Sequence, residues 1–111
     1  MNWQAEKLGS PKVYTDHDEM LNKEKLDAVI ITTQDRMHLE PAVAFANLKY
    51  DILIEKPLAP TVEECRDLIA AVERNNVILS VCHVLRYTNY TRTLKNLIAG
   101  GQIGTVTSVQ H

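Results

Sequence analysis

The chain is poor in glycine. Only Gly9, Gly100, Gly101 and Gly104 occur in 111 residues, and their spacing forms no G-x-G-x-x-G turn. A loop whose backbone amides wrap a phosphate chain cannot be built from these residues. Long apolar runs are also missing. The longest, Ala42 to Ala46 and Leu68 to Val72, fall far short of the roughly 20 residues that cross a bilayer. The opening MNWQAEKLGSP has neither the basic start nor the apolar centre of a signal peptide. A cytoplasmic protein with no membrane partner is the expectation. A formal charge of −2 supplies no long-range field for nucleic acid, so the expected partner is a small molecule. Cysteine is limited to Cys65 and Cys82, which lack paired metal-ligand spacing. Two reduced core thiols and no metal site are expected.

What the chain does contain is enough apolar material for one domain core, 45% of residues against 23% charged. Four short apolar runs read as strands: Asp27 to Thr32, Asp51 to Glu55, Val77 to Cys82 and the more polar Thr105 to Gln110. Between and beside them the apolar spacing turns helical. A short helix opens after the cap Asp16 and runs to about Lys23, with Met20 and Leu21 turned inward. A second runs from about Leu39 to Leu48, with Pro41 in its first turn. A third starts at Thr61, whose hydroxyl and the Glu64 carboxylate form a capping box ahead of Cys65, Leu68, Ile69 and Val72. A fourth covers Asn89 to Ala99, with Tyr90, Leu94, Leu97 and Ile98 on one face and Gly100-Gly101 as its stop. Apolar strands alternating with amphipathic helices predict an α/β fold, a partial Rossmann-like parallel sheet with helices on both faces.

Ligands of open parallel sheets bind at the carboxyl ends of the strands, so the polar residues there carry the functional signal. The first strand leads into Thr32-Thr33-Gln34-Asp35-Arg36-Met37-His38, the second into Glu55-Lys56-Pro57, and the third into His83-Val84-Leu85-Arg86-Tyr87. The run ILIEKPL delivers a carboxylate and an amine to the end of a buried strand. A partly desolvated ammonium can share or relay a proton, and Pro57 restrains the backbone that carries it. The bland alternative is a solvated Glu-Lys pair ahead of a helix. His83 reads equally as a core group or a ligand contact, and His17 as part of a solvated helix start.

DAVIITTQDRMH, ILIEKPLAPTVEEC, SVCHVLRYTNY and LKNLIAGGQIGTV, in this order and spacing, resemble the Gfo/Idh/MocA family of NAD(P)-dependent oxidoreductases. The resemblance implies NAD or NADP as cofactor and a sugar, polyol or related hydroxyl compound as substrate, with a homo-oligomer possible. It places Lys56 near the nicotinamide and the substrate hydroxyl as the catalytic group. It also implies that Thr32, Thr33, His38 and Glu55 line the dinucleotide, with Lys56, Arg86 and Tyr87 close to cofactor or substrate. Gln34-Asp35 stand where the family commonly has Pro-Asn. The family's first strand, glycine loop and helix have no counterpart here, and WQAEKLGSPKVYTD resembles its second helix and third strand.

The expected organisation is therefore a partial dinucleotide-binding domain over 1–104, with 105–111 starting a truncated C-terminal domain. Such a chain is expected to be inactive when isolated. Two alternatives accompany this reading. One is a non-catalytic remnant held by a protein partner through its unpaired sheet edge; the other is a relative that uses bound NAD for glycoside cleavage without net redox change.

Overall fold

A computed structural model describes residues 12–110 together with Lys7 and Gly9. Among the described residues three strands, β1 (Ala28–Ile31), β2 (Asp51–Ile54) and β3 (Leu79–Val81), form one parallel sheet in the order β1-β2-β3. Ala28 pairs with Asp51 and Ile31 with Ile54, while Ile52 pairs with Leu79 and Ile54 with Val81. Among the described residues, four helices have both ends placed: α1 (His17–Lys23), α2 (Leu39–Asn47), α3 (Val62–Asn75) and α4 (Asn89–Ala99). The α/β parallel architecture expected from the alternating patterns is the one observed.

Local chemistry explains where the helices start. Asp16 caps α1 by accepting the Asp18 N–H at 2.9 Å. Glu19, three residues beyond the cap, pairs with Lys23 at 2.6 Å. Thr61 and Glu64 form the full capping box ahead of α3. Asn76 closes that helix with φ 54°, the left-handed conformation that asparagine tolerates better than most side chains.

The core is built between the sheet and two helices. Val29, Ile31, Ile52 and Ile54 point to one face, where they meet Ala42, Phe45 and Ala46 of α2 and Leu68, Ala71 and Val72 of α3. Met20 and Leu21 of α1 pack against this cluster, as predicted. The opposite sheet face carries Ile30, 69% exposed, and Leu53, 36% exposed. Among the described residues nothing covers it, so burial alternates along β1 where a doubly covered parallel strand would be apolar on both sides.

One sequence expectation is corrected at the C-terminal end. Residues 105–110 form no strand and lie exposed, because an extended segment becomes a strand only when a neighbour takes its backbone hydrogen bonds. Helix α4 spans the predicted residues, yet Tyr90, Leu94, Leu97 and Ile98 are all exposed. Its apolar stripe satisfies the helical period without a packing partner among the described residues. Near the start, Lys12 to Tyr14 fall where the resemblance implies a strand, and they adopt none. Most of the rest of that stretch lies outside the described residues.

Lys12 to Tyr14 are instead tied down by Glu24. The Lys12 ammonium donates to its carboxylate at 2.6 Å, and the Tyr14 hydroxyl donates to the same oxygen. The bond from Lys12, then that from Tyr14, hold the Glu24 carboxyl below the ordinary glutamate range. The bond to Glu24 raises both Lys12 and Tyr14 above theirs. The stabilisation from Glu24 is thus present above its unfolded pKa and lost as pH falls through its lowered folded value; that from Lys12 and Tyr14 is lost only as pH rises through their raised values. Phenolate absorbance should show Tyr14 titrating above the usual tyrosine range in the intact chain and returning toward it in Glu24→Gln. An unchanged titration would mean that the tie does not form in solution.

Candidate functional site at the carboxyl edge of the sheet

Because β1, β2 and β3 run parallel, their polar exits emerge along one edge. The ladder persists just beyond each strand: Glu55 N–H donates to the Ile31 carbonyl at 2.9 Å, and Cys82 N–H to the Ile54 carbonyl at 2.8 Å. Thr32, Glu55 and Cys82 are therefore fixed at the rim, one residue past the apolar runs. The strands end here because the next residues face solvent and loops, where hydroxyl, carboxylate and amine groups need not be buried.

Lys56 lines a concavity of about 240 Å³ with Cys82, His83, Val84, Leu85 and Arg86. Its side chain is exposed, and among the described residues it has no ion pair. The Glu55 carboxylate, half-buried, accepts the Lys56 backbone N–H at 3.2 Å and does not neutralise the Lys56 ammonium. The expected partial desolvation of Lys56 is consequently not supplied by these residues. The Lys56–Pro57 peptide is cis.

His38, unlike the other polar residues of these exits, is buried. It is 1% exposed and is not among the residues lining the concavities at Lys56, Thr32 and Arg86. Its Nδ1 lies 2.9 Å from the Pro57 carbonyl oxygen and 3.3 Å from that of Leu58, while Nε2 lies 3.1 Å from the Thr33 carbonyl oxygen. The ring therefore bridges the loop after β1 and the loop that carries Lys56. Carbonyl oxygens only accept, and a neutral imidazole has one N–H, so the ring donates either to the Pro57 loop or to Thr33 according to its tautomer.

Thr32 and Thr33 line a separate concavity of about 310 Å³ with Arg36, Met37 and Glu40, and the Thr33 hydroxyl donates to the Met37 carbonyl at 3.2 Å. Arg86 and Tyr87 sit on the turn Val84–Tyr87 after β3 and border a third, larger hollow. The structure thus brings Lys56 and Arg86 to one wall and keeps the two threonines apart from them. Cys82 and His83 join Lys56. Sequence reading left His83 undecided and took Cys82 as a core thiol, whereas Cys82 is half-buried at the rim and His83 is exposed.

A dinucleotide fits this edge at one end. Val84 and Leu85 offer apolar surface beside the polar Lys56, His83 and Arg86, a combination suited to a flat ring carrying an amide. No glycine turn among these residues would cradle its phosphates.

Comparison with known proteins gives the class. The oxidoreductase family with an NAD-binding Rossmann fold, Gfo/Idh/MocA, matches residues 2–83, and the chain belongs to it. Inositol 2-dehydrogenase of Salmonella typhimurium is 34% identical over 94 residues, covering 84% of this chain and 28% of that protein. The 2,7-anhydro-N-acetylneuraminate hydratase of Mediterraneibacter gnavus is 32% identical over 94 residues, covering 85% and 25%. The crystal structure of myo-inositol 2-dehydrogenase from Lactobacillus plantarum superposes with a TM-score of 0.90 at 25% identity, covering 95% of this chain and 31% of that one. The chain spans between a quarter and a third of the length of these relatives. No helix among the described residues is long and apolar enough to cross a membrane.

Proposed function

We propose that this chain carries the nicotinamide and hydroxyl end of an NAD(P)-dependent oxidoreductase acting on a sugar or polyol. The observation that carries this reading is the meeting of Lys56, His83 and Arg86 around one concavity at the carboxyl edge of a parallel sheet. Similarity to dehydrogenases of inositol supports the substrate class.

In this reading the bound nicotinamide supplies a hydride acceptor. Lys56 takes up the hydroxyl proton that must leave as a carbinol carbon is oxidised when it stands as the neutral amine, its own proton having passed to solvent; as the ammonium it donates a hydrogen bond to the same oxygen. Thr32 and Thr33 face the dinucleotide from the loop after β1, and Glu55 supports the Lys56 backbone. His38 acts from beneath by holding the Lys56 loop, and Arg86 and Tyr87 border the ligand. A cytoplasmic homo-oligomer accompanies this proposal. Because the chain spans a minor part of its relatives, activity is assigned to the site in the context of a family-length protein.

The test is a chimaera in which these residues replace the matching segment of the Salmonella inositol 2-dehydrogenase. Net reduction of added NAD or NADP with a polyol or sugar is the expected result. A chimaera that melts cooperatively and binds cofactor, yet reduces none with any polyol or sugar, would contradict the reading. A second reading, transient oxidation without net redox change, is favoured by the similarity to a protein named as a hydratase. Its signature would be sugar conversion without accumulation of reduced cofactor.

A further inference from the structure

The hollow beyond Arg86 has a charge character that the oxidoreductase reading does not use. It measures about 560 Å³ and is lined by Arg86, Tyr87, Arg92, Lys95 and Asn96. Three of these five residues are cations. Among the described residues none of the three has an ion-pair partner. The sequence explains why: all 14 acidic residues lie at or before Glu73, and the chain from Arg74 onward contains no Asp or Glu. No Asp or Glu side chain of this segment can compete for the three cations.

The cations are also held in relation to one another. Arg92 and Lys95 are three residues apart on α4 and so share a face. The start of α4 is fastened to the turn carrying Arg86: the Thr88 hydroxyl donates to the Leu85 carbonyl at 3.2 Å, and the Thr91 hydroxyl donates to the same oxygen. Arg86 belongs both to this hollow and to the Lys56 concavity, and with Leu85, Thr91 and Lys95 it borders the recess between them. A ligand with one end at Lys56 can therefore present its other end to Arg92 and Lys95.

We propose that Arg86, Arg92 and Lys95 form a subsite for an anionic group, a carboxylate or phosphate ester, on a sugar-type substrate whose reacting hydroxyl lies at Lys56. The proposal rests on the oxidoreductase reading and narrows its substrate to acidic sugars. Guanidinium groups bind carboxylate and phosphate oxygens in paired, directional hydrogen bonds, and the Tyr87 hydroxyl adds another donor at the same wall. The same chemistry could serve the dinucleotide's phosphates. Side-chain cations on an exposed helix face, rather than backbone amides at a glycine turn, favour the substrate. Arg86 and Tyr87, expected from the family resemblance to contact cofactor or substrate, are thereby assigned to the substrate.

The test uses the ¹⁵N-labelled 111-residue chain, titrated at constant ionic strength with sodium D-glucuronate, D-glucose 6-phosphate, neutral D-glucose and NAD. Saturable shifts of the Arg86 and Arg92 Nε–H resonances are expected with both anionic sugars and not with glucose. The double substitution Arg92→Gln, Lys95→Gln should weaken anionic-sugar binding at least tenfold while leaving the sheet amide spectrum unchanged, since both side chains are exposed. Three results would overturn the proposal: no saturable shift with either anionic sugar, equal binding of glucose, or binding undiminished by the double substitution. If NAD alone shifts these groups, the subsite belongs to the cofactor and the proposal also fails. Each failure leaves net turnover of neutral polyols by the chimaera intact, so the two readings fail separately.

Discussion

Lys56→Met in the chimaera is expected to lower kcat by roughly 10² to 10⁴-fold, the range associated with losing a positioned acid-base group. Dinucleotide affinity should change little, because methionine keeps the length of the side chain and removes only the ammonium. The structure explains this separation of effects. Lys56 stands exposed at the carboxyl edge without an ion pair, so no buried partner is stranded when its charge is removed. Stopped-flow kinetics and fluorescence titration would read chemistry and binding independently. Unchanged turnover would remove Lys56 from the mechanism; a parallel collapse of cofactor binding would make it a binding group instead.

His38→Leu is expected to destabilise the chain by about 1–3 kcal/mol, the cost of leaving a buried polar group unsatisfied. That is a large share of the roughly 5–15 kcal/mol by which domains are stable. Leucine keeps the site filled, so the loss reports the carbonyl, of Thr33 or of Pro57, to which the ring N–H donates. His38→Gln, which retains a donor, should recover part of it. Urea unfolding with an unchanged m-value is the appropriate measurement. A loss below about 0.5 kcal/mol, within the usual range for surface substitutions, would show that the bridge is dispensable. In the chimaera the same change should lower kcat through the displaced Lys56 loop, and the His38→Gln variant should recover turnover alongside stability.

What was legible in the sequence follows the range of the interactions involved. The capping box of Thr61 and Glu64 spans three residues, and the apolar runs of β1, β2 and β3 declare themselves within four or five, so these elements and the shared edge of their exits could be read directly. The position of His38 could not. Its partners at Pro57 and Leu58 are 19 and 20 residues away, and a polar residue in a loop carries no local sign that its ring is buried. Helix α4 was legible as a helix from its period, but period alone does not say whether Leu94 and Ile98 find a partner. Residues 105–110 failed as a strand for the same reason, since strand formation depends on a neighbour. The cationic hollow was overlooked because Arg86 lies on a turn while Arg92 and Lys95 lie on α4. A count of acidic residues along the chain, which stop at Glu73, is the signal that could have revealed it.

The central claim is that the carboxyl edge at Lys56 is where the dinucleotide's reactive end binds. Reductive methylation of the chimaera, read lysine by lysine by mass spectrometry with and without saturating cofactor, tests it most directly. Lys56 is exposed and should label readily in the free protein. Saturating NAD or NADP, with occupancy followed by fluorescence, is predicted to slow labelling of Lys56 at least tenfold while leaving Lys12 and Lys23, which are paired with Glu24 and Glu19, unaffected. Labelling of Lys56 at the same rate with cofactor fully bound would place the nicotinamide elsewhere and contradict the account.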